Sequence, residues 1–475
     1  MEPEHSTQTT LRPAQNLAVR LGVSYHPTDS PSLPGTLAFE TIFGEAGVDF
    51  IGTDSVDVLF SLNETGAITV DAKGGNDTIT LQDSDQVVGT ATIKGGAGND
   101  NITLSAESGG NNSRLSSSSV NGGQGDDNFF LAGSVSTTIR GNEEDDDFFL
   151  AQNYTNSTIN GNSGEDSFFV RAGFQLSNSK ILGGNDNDGR MDFSAGILSA
   201  VDSTINGSKG NDNITIGLVT EATNFTVFGG QDNDVINSTN TGSDNVVYSG
   251  DKGDDQITTG AAKDSVLGGE GNDLIATGAD ADTIDAGAGN DIVNDGAGND
   301  TINLGEGNDI YVDAAGDDTI TGGAGADTYT PADGGNYIIG STDDSAAAIS
   351  GTNRTFDSML AGFAAATDTI DISAMSESLT GDRNPNSVVV SAPLTVNVGS
   401  FADLRTFMAD GANLTASGTT ARQVEVTTIT VPAGSINGTY LIVNNTNNVL
   451  DSGDMMFRID AADLAEYQNL SAWAI

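Results

Sequence analysis

Single apolar residues punctuate an otherwise polar chain at regular intervals. Ile79, Ile102, Phe129, Phe148, Phe168, Ile214, Ile236, Ile257, Ile275, Ile284, Val293, Ile302, Tyr311, Ile320 and Tyr329 each stand two residues after an Asp that ends a Gly-rich turn. A second set, Ile93, Val120, Ile139, Ile159, Ile181, Ile205, Val227, Tyr248 and Val266, stands two residues before the first Gly of such a turn. Lone β-branched or aromatic residues among Ser, Thr and Asn fit short half-buried strands, not helices. The pattern predicts coils of two strands. One connection is a Gly-Asp turn of constant length; the other varies, in pieces such as Ala132 to Thr138, Gln152 to Thr158 and Gly217 to Thr226.

The turn is a repeat, and a fixed internal period marks a solenoid. Its clearest phrase is Gly95-Gly96-Ala97-Gly98-Asn99-Asp100-Asn101-Ile102-Thr103, and the corresponding Asp recurs every nine residues at 273, 282, 291, 300, 309, 318 and 327. Upstream it stands at 77, 100, 127, 146, 166, 188, 212, 234 and 255. Two nine-residue units make one coil, and coils stack about 4.8 Å apart. Proline supports the same division, because it removes a ladder donor. Five of the nine prolines fall at positions 3 to 34 and the next is Pro331. Residues 1–35 therefore read as an extended Pro-rich arm holding both histidines, His5 and His26. Residues 36–330 form one elongated body, with longer irregular coils at 36–265 and strict repeats at 266–330, and 331–475 form a C-terminal cap.

Charge adds a constraint. The chain has 67 acidic and 17 basic residues, a formal net charge of −50, and no Cys. This excludes a disulfide scaffold and argues against a nucleic-acid binder. The best apolar stretch near the start, Leu17 to Val23, is interrupted by Arg20, so no secretory signal peptide or membrane span is expected. Residues 264–330 hold fifteen acidic residues and no Lys or Arg. Stacked carboxylates at the coil spacing repel by about 3.5 kcal/mol at an effective dielectric near 20. A bare column would not hold, so a cation belongs between its members. Oxygen ligands without His or Cys select Ca²⁺ over zinc or copper.

The phrase Gly-Gly-x-Gly-x-Asp-x-apolar-x resembles the RTX (repeat-in-toxin) nonapeptide, almost throughout 268–330. The resemblance implies an all-β protein: an elongated right-handed parallel β-roll, or β-solenoid, with calcium-binding turns and a C-terminal β-rich cap. It implies ions held by carbonyls of turn positions 1 to 4 and by the Asp at position 6 of stacked turns. The residues carried over are Asp77; Gly96, Gly98 and Asp100; Gly123, Gly125 and Asp127; Asp166; Gly210 and Asp212; Asp234; Gly253 and Asp255; Gly269, Gly271 and Asp273; Asp282; Gly287, Gly289 and Asp291; Gly296, Gly298 and Asp300; Gly305, Gly307 and Asp309; Gly316 and Asp318; and Gly323, Gly325 and Asp327. Pairing stacked turns gives about 14 ions, nine along the long column and five in the strict segment, each with six or more ligands. Glu144 at a Gly position, and Arg190 at an apolar one, keep Asp146 and Asp188 out of this set. Asp186, Asp232 and Asp280 replace position-4 glycines and are expected to take the left-handed conformation. Asp49 and Asp57 mark two further degenerate turns.

Phe356 to Phe363 followed by Asp368 to Ser373 looks like the phrase that closes many RTX rolls, and a solenoid needs such a lid. Strands are expected at Val424 to Val431, Tyr440 to Val443 and Met455 to Ile459, and a short helix at Phe401 to Ala409. The loop Asn444 to Asp454 reads as a hairpin turn. Leu464 to Ile475, with the lone Trp473, serves either as an export signal or as cap packing.

No His-Glu-x-x-His or Gly-x-Ser-x-Gly occurs, so no enzyme is expected. RTX proteins are typically exported unfolded by a type I system, which implies a secreted or cell-surface location. A chain made mostly of repeats is similar to oscillin-type cyanobacterial surface proteins. That similarity implies a calcium-stabilised structural protein that assembles with itself into a surface layer, sheath or fibril, with a link to gliding motility. An adhesin or carbohydrate-binding role toward cell-surface polysaccharide is the alternative, and a polysaccharide-modifying enzyme a more distant one.

Overall fold

The computed structural model describes residues 67–81, 90–104, 115–312 and most of 314–330 in full, with further segments between 40 and 62, at 82–83 and 105–106, and between 335 and 474. The Pro-rich arm with His5 and His26, the expected helix at Phe401 to Ala409 and residues 445–454 of the expected hairpin loop lie outside the described residues.

Among the described residues every regular element is a β-strand. Each coil carries one strand of a front sheet and one of a back sheet, with a second back-sheet strand in the coils that hold Leu115–Ser116, Ser134–Val135, Asn153–Thr155 and Phe174–Ser177. Ala91–Ala97 lies in the back sheet, and the chain turns through Gly98 to Asp100 and returns as Asn101–Ala106 in the front sheet. Strands pair in parallel with the coils before and after. Ser265–Glu270, Thr283–Ala288 and Thr301–Glu306 align in the back sheet, while Leu274–Ala276, Ile292–Asn294 and Ile310–Val312 align in the front sheet. The protein is therefore a parallel β-solenoid. Its turn from back to front sheet is here named the carboxylate edge, and the opposite one the variable edge.

Alternation along the strands sends their apolar side chains into the space between the sheets, two of them in strands such as Asn128–Leu131, with Phe129 and Leu131. All fifteen residues that follow the repeat Asp by two are buried. So are the nine that open the back-sheet strands. Equivalent side chains stack on one another: the rings of Phe129, Phe148 and Phe168 lie parallel, with centroids 4.6 and 4.7 Å apart. Each such side chain contributes about 1.5–3 kcal/mol on burial. The coil is thin, so no single layer would hold without its neighbours.

Three expectations need correction. Arg190 does not occupy an interior position. Gly189 is an extra residue after Asp188, so Arg190 pairs with Ser167 and Met191 with Phe168. Met191 fills the core, and Arg190 lies outside with its guanidinium 4.8 Å from the Phe169 ring centroid. A one-residue bulge flips every following side chain, and here it restores the pattern. Asp49 lies within a back-sheet strand, paired with Thr69, and not in a turn; Asp57 stands one residue before Val58, which pairs with Thr78, and so aligns with the turn residue Asp77. Asp232 and Asp280 take positive φ as expected, but Asp186 does not.

Beyond residue 330 both ladders continue. Gly335–Ile338 adds to the back sheet and is followed by Thr369–Asp371 and then Trp473–Ala474. Strands at Gln423–Val431, Gly438–Asn444 and Met455–Ile459 match the expected places and pair antiparallel in sequence. Met455–Ile459 also joins Ser358–Met359 of the front sheet.

Candidate metal centre

The carboxylate edge brings the repeat aspartates into one buried column. Asp77, Asp100, Asp127, Asp146, Asp166, Asp188, Asp212, Asp234, Asp255, Asp273, Asp291, Asp309 and Asp327 are each at most 3 % exposed. Each backbone N–H donates to Oδ1 of the Asp one coil further on, at 2.7–2.9 Å along the whole run. The column is thus longer than the spacing suggested: the strict segment does not begin a new column but supplies every second Asp to this one. Asp146 and Asp188, set aside on sequence grounds, sit in it like the others. Glu144 takes the left-handed conformation that its missing glycine would have taken.

Oδ2 is the other half of the arrangement. In Asp100, Asp127, Asp146, Asp166, Asp188, Asp212, Asp234, Asp255, Asp273 and Asp291 it is buried and meets no hydrogen-bond donor. A buried carboxylate oxygen without a partner costs several kcal/mol. Its surroundings are oxygen-rich. A methyl group added to Gly95 would overlap Oδ2 of Asp100 and lie 2.6 Å from the carbonyl of Gly122 on the next coil. The same holds at Gly161, beside Asp166 Oδ2 and the Gly183 carbonyl, and at Gly207, beside Asp212 Oδ2 and the Gly229 carbonyl. In these coils position 1 is glycine where carboxylate and carbonyl oxygens converge over its Cα, whereas Ala72, Ala286 and Leu304 stand at position 1 of the turns that end at Asp77, Asp291 and Asp309. The second glycine has another cause: Gly96 holds φ at +120°, which turns its peptide toward the same point.

Burial without a partner raises the carboxyl pKa values. Desolvation pushes Asp100 and Asp166 up to about 7, Asp127 and Asp234 to about 8, and Asp146 and Asp188 to about 9. The amide bonds to Oδ1 pull in the other direction and like charges above and below add to the rise. A hard divalent cation reverses the sign, since it is stabilised by ionised oxygens. The donor set contains carboxylate and carbonyl oxygen and no nitrogen or sulfur, which fits Ca²⁺.

Position 5 carries a second, external ladder that the sequence reading passed over. Asn211 N–H donates to Asn187 Oδ1, Asn233 to Asn211, Asp254 to Asn233, Asn272 to Asp254, Asn290 to Asn272 and Asn308 to Asn290, all at 2.7–2.9 Å. These bonds run back to the preceding coil, whereas those of position 6 run forward. Each turn is tied in both directions.

The variable edge differs. Asp264, Asp282, Asp300 and Asp318 form a buried column there, again linked by amide to Oδ1 bonds of 2.6–2.8 Å. Asp264 was missed because its turn, Thr259 to Lys263, lacks the glycine phrase. Below Asp264 the column holds Val246 and Phe225, and below those Ser203, Ser179, Ser157, Thr137 and Ser118. These hydroxyls take the carboxylate's structural role. Ser157 N–H donates to Ser179 Oγ and Ser179 N–H to Ser203 Oγ, both at 3.1 Å, and each hydroxyl donates to the carbonyl two residues back. A neutral hydroxyl, already donating and accepting, lacks the free anionic oxygen that a carboxylate offers a hard cation. Asp295, Asp300 and Asp318 also bring three buried carboxylates together, with Tyr311 donating to Asp295.

Comparison with known proteins agrees with this geometry. The RTX calcium-binding nonapeptide repeat matches in four copies, at residues 88–106, 238–275, 276–311 and 305–338. Neither a curated protein nor a solved structure matches the chain. The matched segments include all four aspartates of the variable edge and the strict part of the carboxylate column.

Proposed function

We propose that this chain, which carries RTX calcium-binding repeats, is a non-enzymatic extracellular structural rod hardened by calcium, and that it assembles with copies of itself into a surface layer, sheath or fibril. The observation that carries this reading is the carboxylate column itself: buried oxygens without donors, coil after coil, from Asp100 to Asp291. Such a column opposes folding where calcium is scarce and stabilises it where calcium is plentiful, because metal binding to the folded form alone adds to stability. That couples folding to arrival outside a cell and supports a secreted or surface location with export by a type I system.

Self-assembly is supported by the strand ends. Among the described residues Glu40–Gly44 pairs only with Asp57–Leu62, and Asp49–Ile51 only with Ile68–Asp71, so each offers an open ladder to another strand. Electron microscopy of the purified chain in calcium and after EGTA tests the proposal. Ordered polymers that dissolve on chelation are expected; dispersed particles in both conditions rule out a self-assembling rod. The second reading, an adhesin, shares the calcium-built body and differs in what its faces hold.

A further inference from the structure

The outer face of the back sheet carries a trough of about 710 Å³ across the middle of the body. Its floor is a single register column, Gly184, Ser208, Gly230, Asp251, Gly269 and Gly287, one residue from each of six successive coils. Five coil steps give it a length of about 24 Å. Four of its six floor residues have no side chain, so the walls rise from the two neighbouring columns. Lys209, Gln231 and Lys252 stand on one side, and Asn206, Ser249 and Asp285 on the other. Leu267 stands in the same column as Ser249 and Asp285, between them, with its side chain exposed.

The chemistry narrows the occupant. A peptide strand would need open backbone groups, but the floor residues lie in strands already paired on both sides. An acidic polymer would have to approach a chain of net charge −50. Locally the charges nearly cancel: Lys209 and Lys252 face Asp251, Glu270 and Asp285, and Lys252 Nζ is held by Glu270 at 2.8 Å. What remains is a row of amides, hydroxyls and paired charges. It includes Asn206 Oδ1, which is buried without a partner, and one exposed apolar side chain, Leu267. The aromatic column on the front sheet, exposed Phe130 with half-buried Phe149 and Phe169, offers no comparable surface, since its rings lie face to face at 4.8 and 5.1 Å.

We infer that the trough binds a linear neutral polysaccharide laid along the solenoid axis, because each coil presents one polar set and the coil spacing is close to the length of one sugar unit in an extended chain. Binding is therefore additive over coils. Calorimetry on the full chain in calcium, with β-1,4-linked glucose oligomers of two to eight units as probes, should show affinity rising with length and levelling off near the length of the trough. The double variant Lys209→Ala/Gln231→Ala changes two exposed side chains and should weaken binding at least about tenfold, the loss of one good polar contact, with circular dichroism unchanged. Asn237→Ala on the front sheet should leave binding intact. No binding of any oligomer, affinity independent of length, or equal binding by the double variant overturns the inference. Binding only of a polyuronate, lost in salt, overturns the neutral chain as ligand. Polymer formation is scored separately by microscopy, so failure here is distinct from failure of the rod proposal.

Discussion

A repeat aspartate does two jobs with two oxygens. Oδ1 of Asp127 accepts the Asp100 amide at 2.8 Å, while Oδ2 is buried without a donor. Asp127→Asn keeps the first job and removes the second. It should lower the number of bound ions and the melting temperature in calcium, yet leave the melting temperature in EGTA unchanged or higher, as scanning calorimetry would show. Ser157→Ala is the opposite case. It removes a hydroxyl that accepts from Thr137 N–H and donates to the Thr155 carbonyl, so it should cost about 1–2 kcal/mol with or without calcium. Gly122→Ala would drive a methyl into Asp127 Oδ2 and against the Phe129 ring, and should reduce both stability and calcium affinity.

Proton linkage at these residues has an unusual sign. Folded carboxyl pKa values of about 7 to 9, raised by burial, lie above the ordinary value of 3.8. Without metal the folded form therefore binds more protons than the unfolded one, and its stability falls as pH rises from about 4 through 9. A metal-free sample should gain β-sheet signal on acidification. Calcium-loaded protein should do the reverse and weaken in acid, as protons compete for the ligand oxygens. Circular dichroism across pH with and without EGTA checks both signs.

At the scale of the element, the two edges divide the molecule by their need for metal. Coils between Ser119–Gln124 and Val246–Lys252 close their variable edge with hydroxyls or with Phe225 and Val246. Coils from Ser265–Glu270 onward carry carboxylates on both edges. Withdrawal of calcium should open the strict segment first, because it has two repelling columns in place of one. Hydrogen exchange during a calcium titration should show protection lost past Ser265 at a calcium level where Ile139 to Val227 remain protected. A single uniform transition would mean that the hydroxyl column contributes no metal-independent stability.

Much of this was legible along the chain. Apolar positions two residues after each Asp and two before each Gly turn placed both sheets, and the Asp spacing placed the carboxylate edge. The hydroxyl column was not legible, because Ser118, Ser157, Ser179 and Ser203 look like the solvated serines around them. Gly189 was invisible for a similar reason: an inserted glycine in a Gly-rich chain has no signature, and only the pairing of Met191 with Phe168 reveals it.

The whole molecule is a balance between a stacked apolar interior and a formal charge of −50. The only ion pairs among the described residues, Arg190–Asp192 and Lys252–Glu270, are exposed and contribute little. Calcium is then the main counter-charge. A fully unfolded chain of this length has a radius of gyration of about 80 Å. Small-angle scattering should show EGTA moving the particle from a rod toward that dimension at low salt, with less expansion in molar salt, where repulsion is screened beyond about 3 Å.

The period of the sequence by itself determined the coil, the parallel register, the acid column and the preference for a hard cation, since each follows from backbone spacing and from residue types recurring at a fixed interval. Tertiary structure alone decided which edge each strict-repeat Asp joins, how hydroxyls stand in for carboxylates, and where the floor of glycines opens a trough. Those outcomes depend on what lies one coil above or below, between residues that are eighteen to twenty-seven positions apart along the chain, and no local pattern records that neighbourhood.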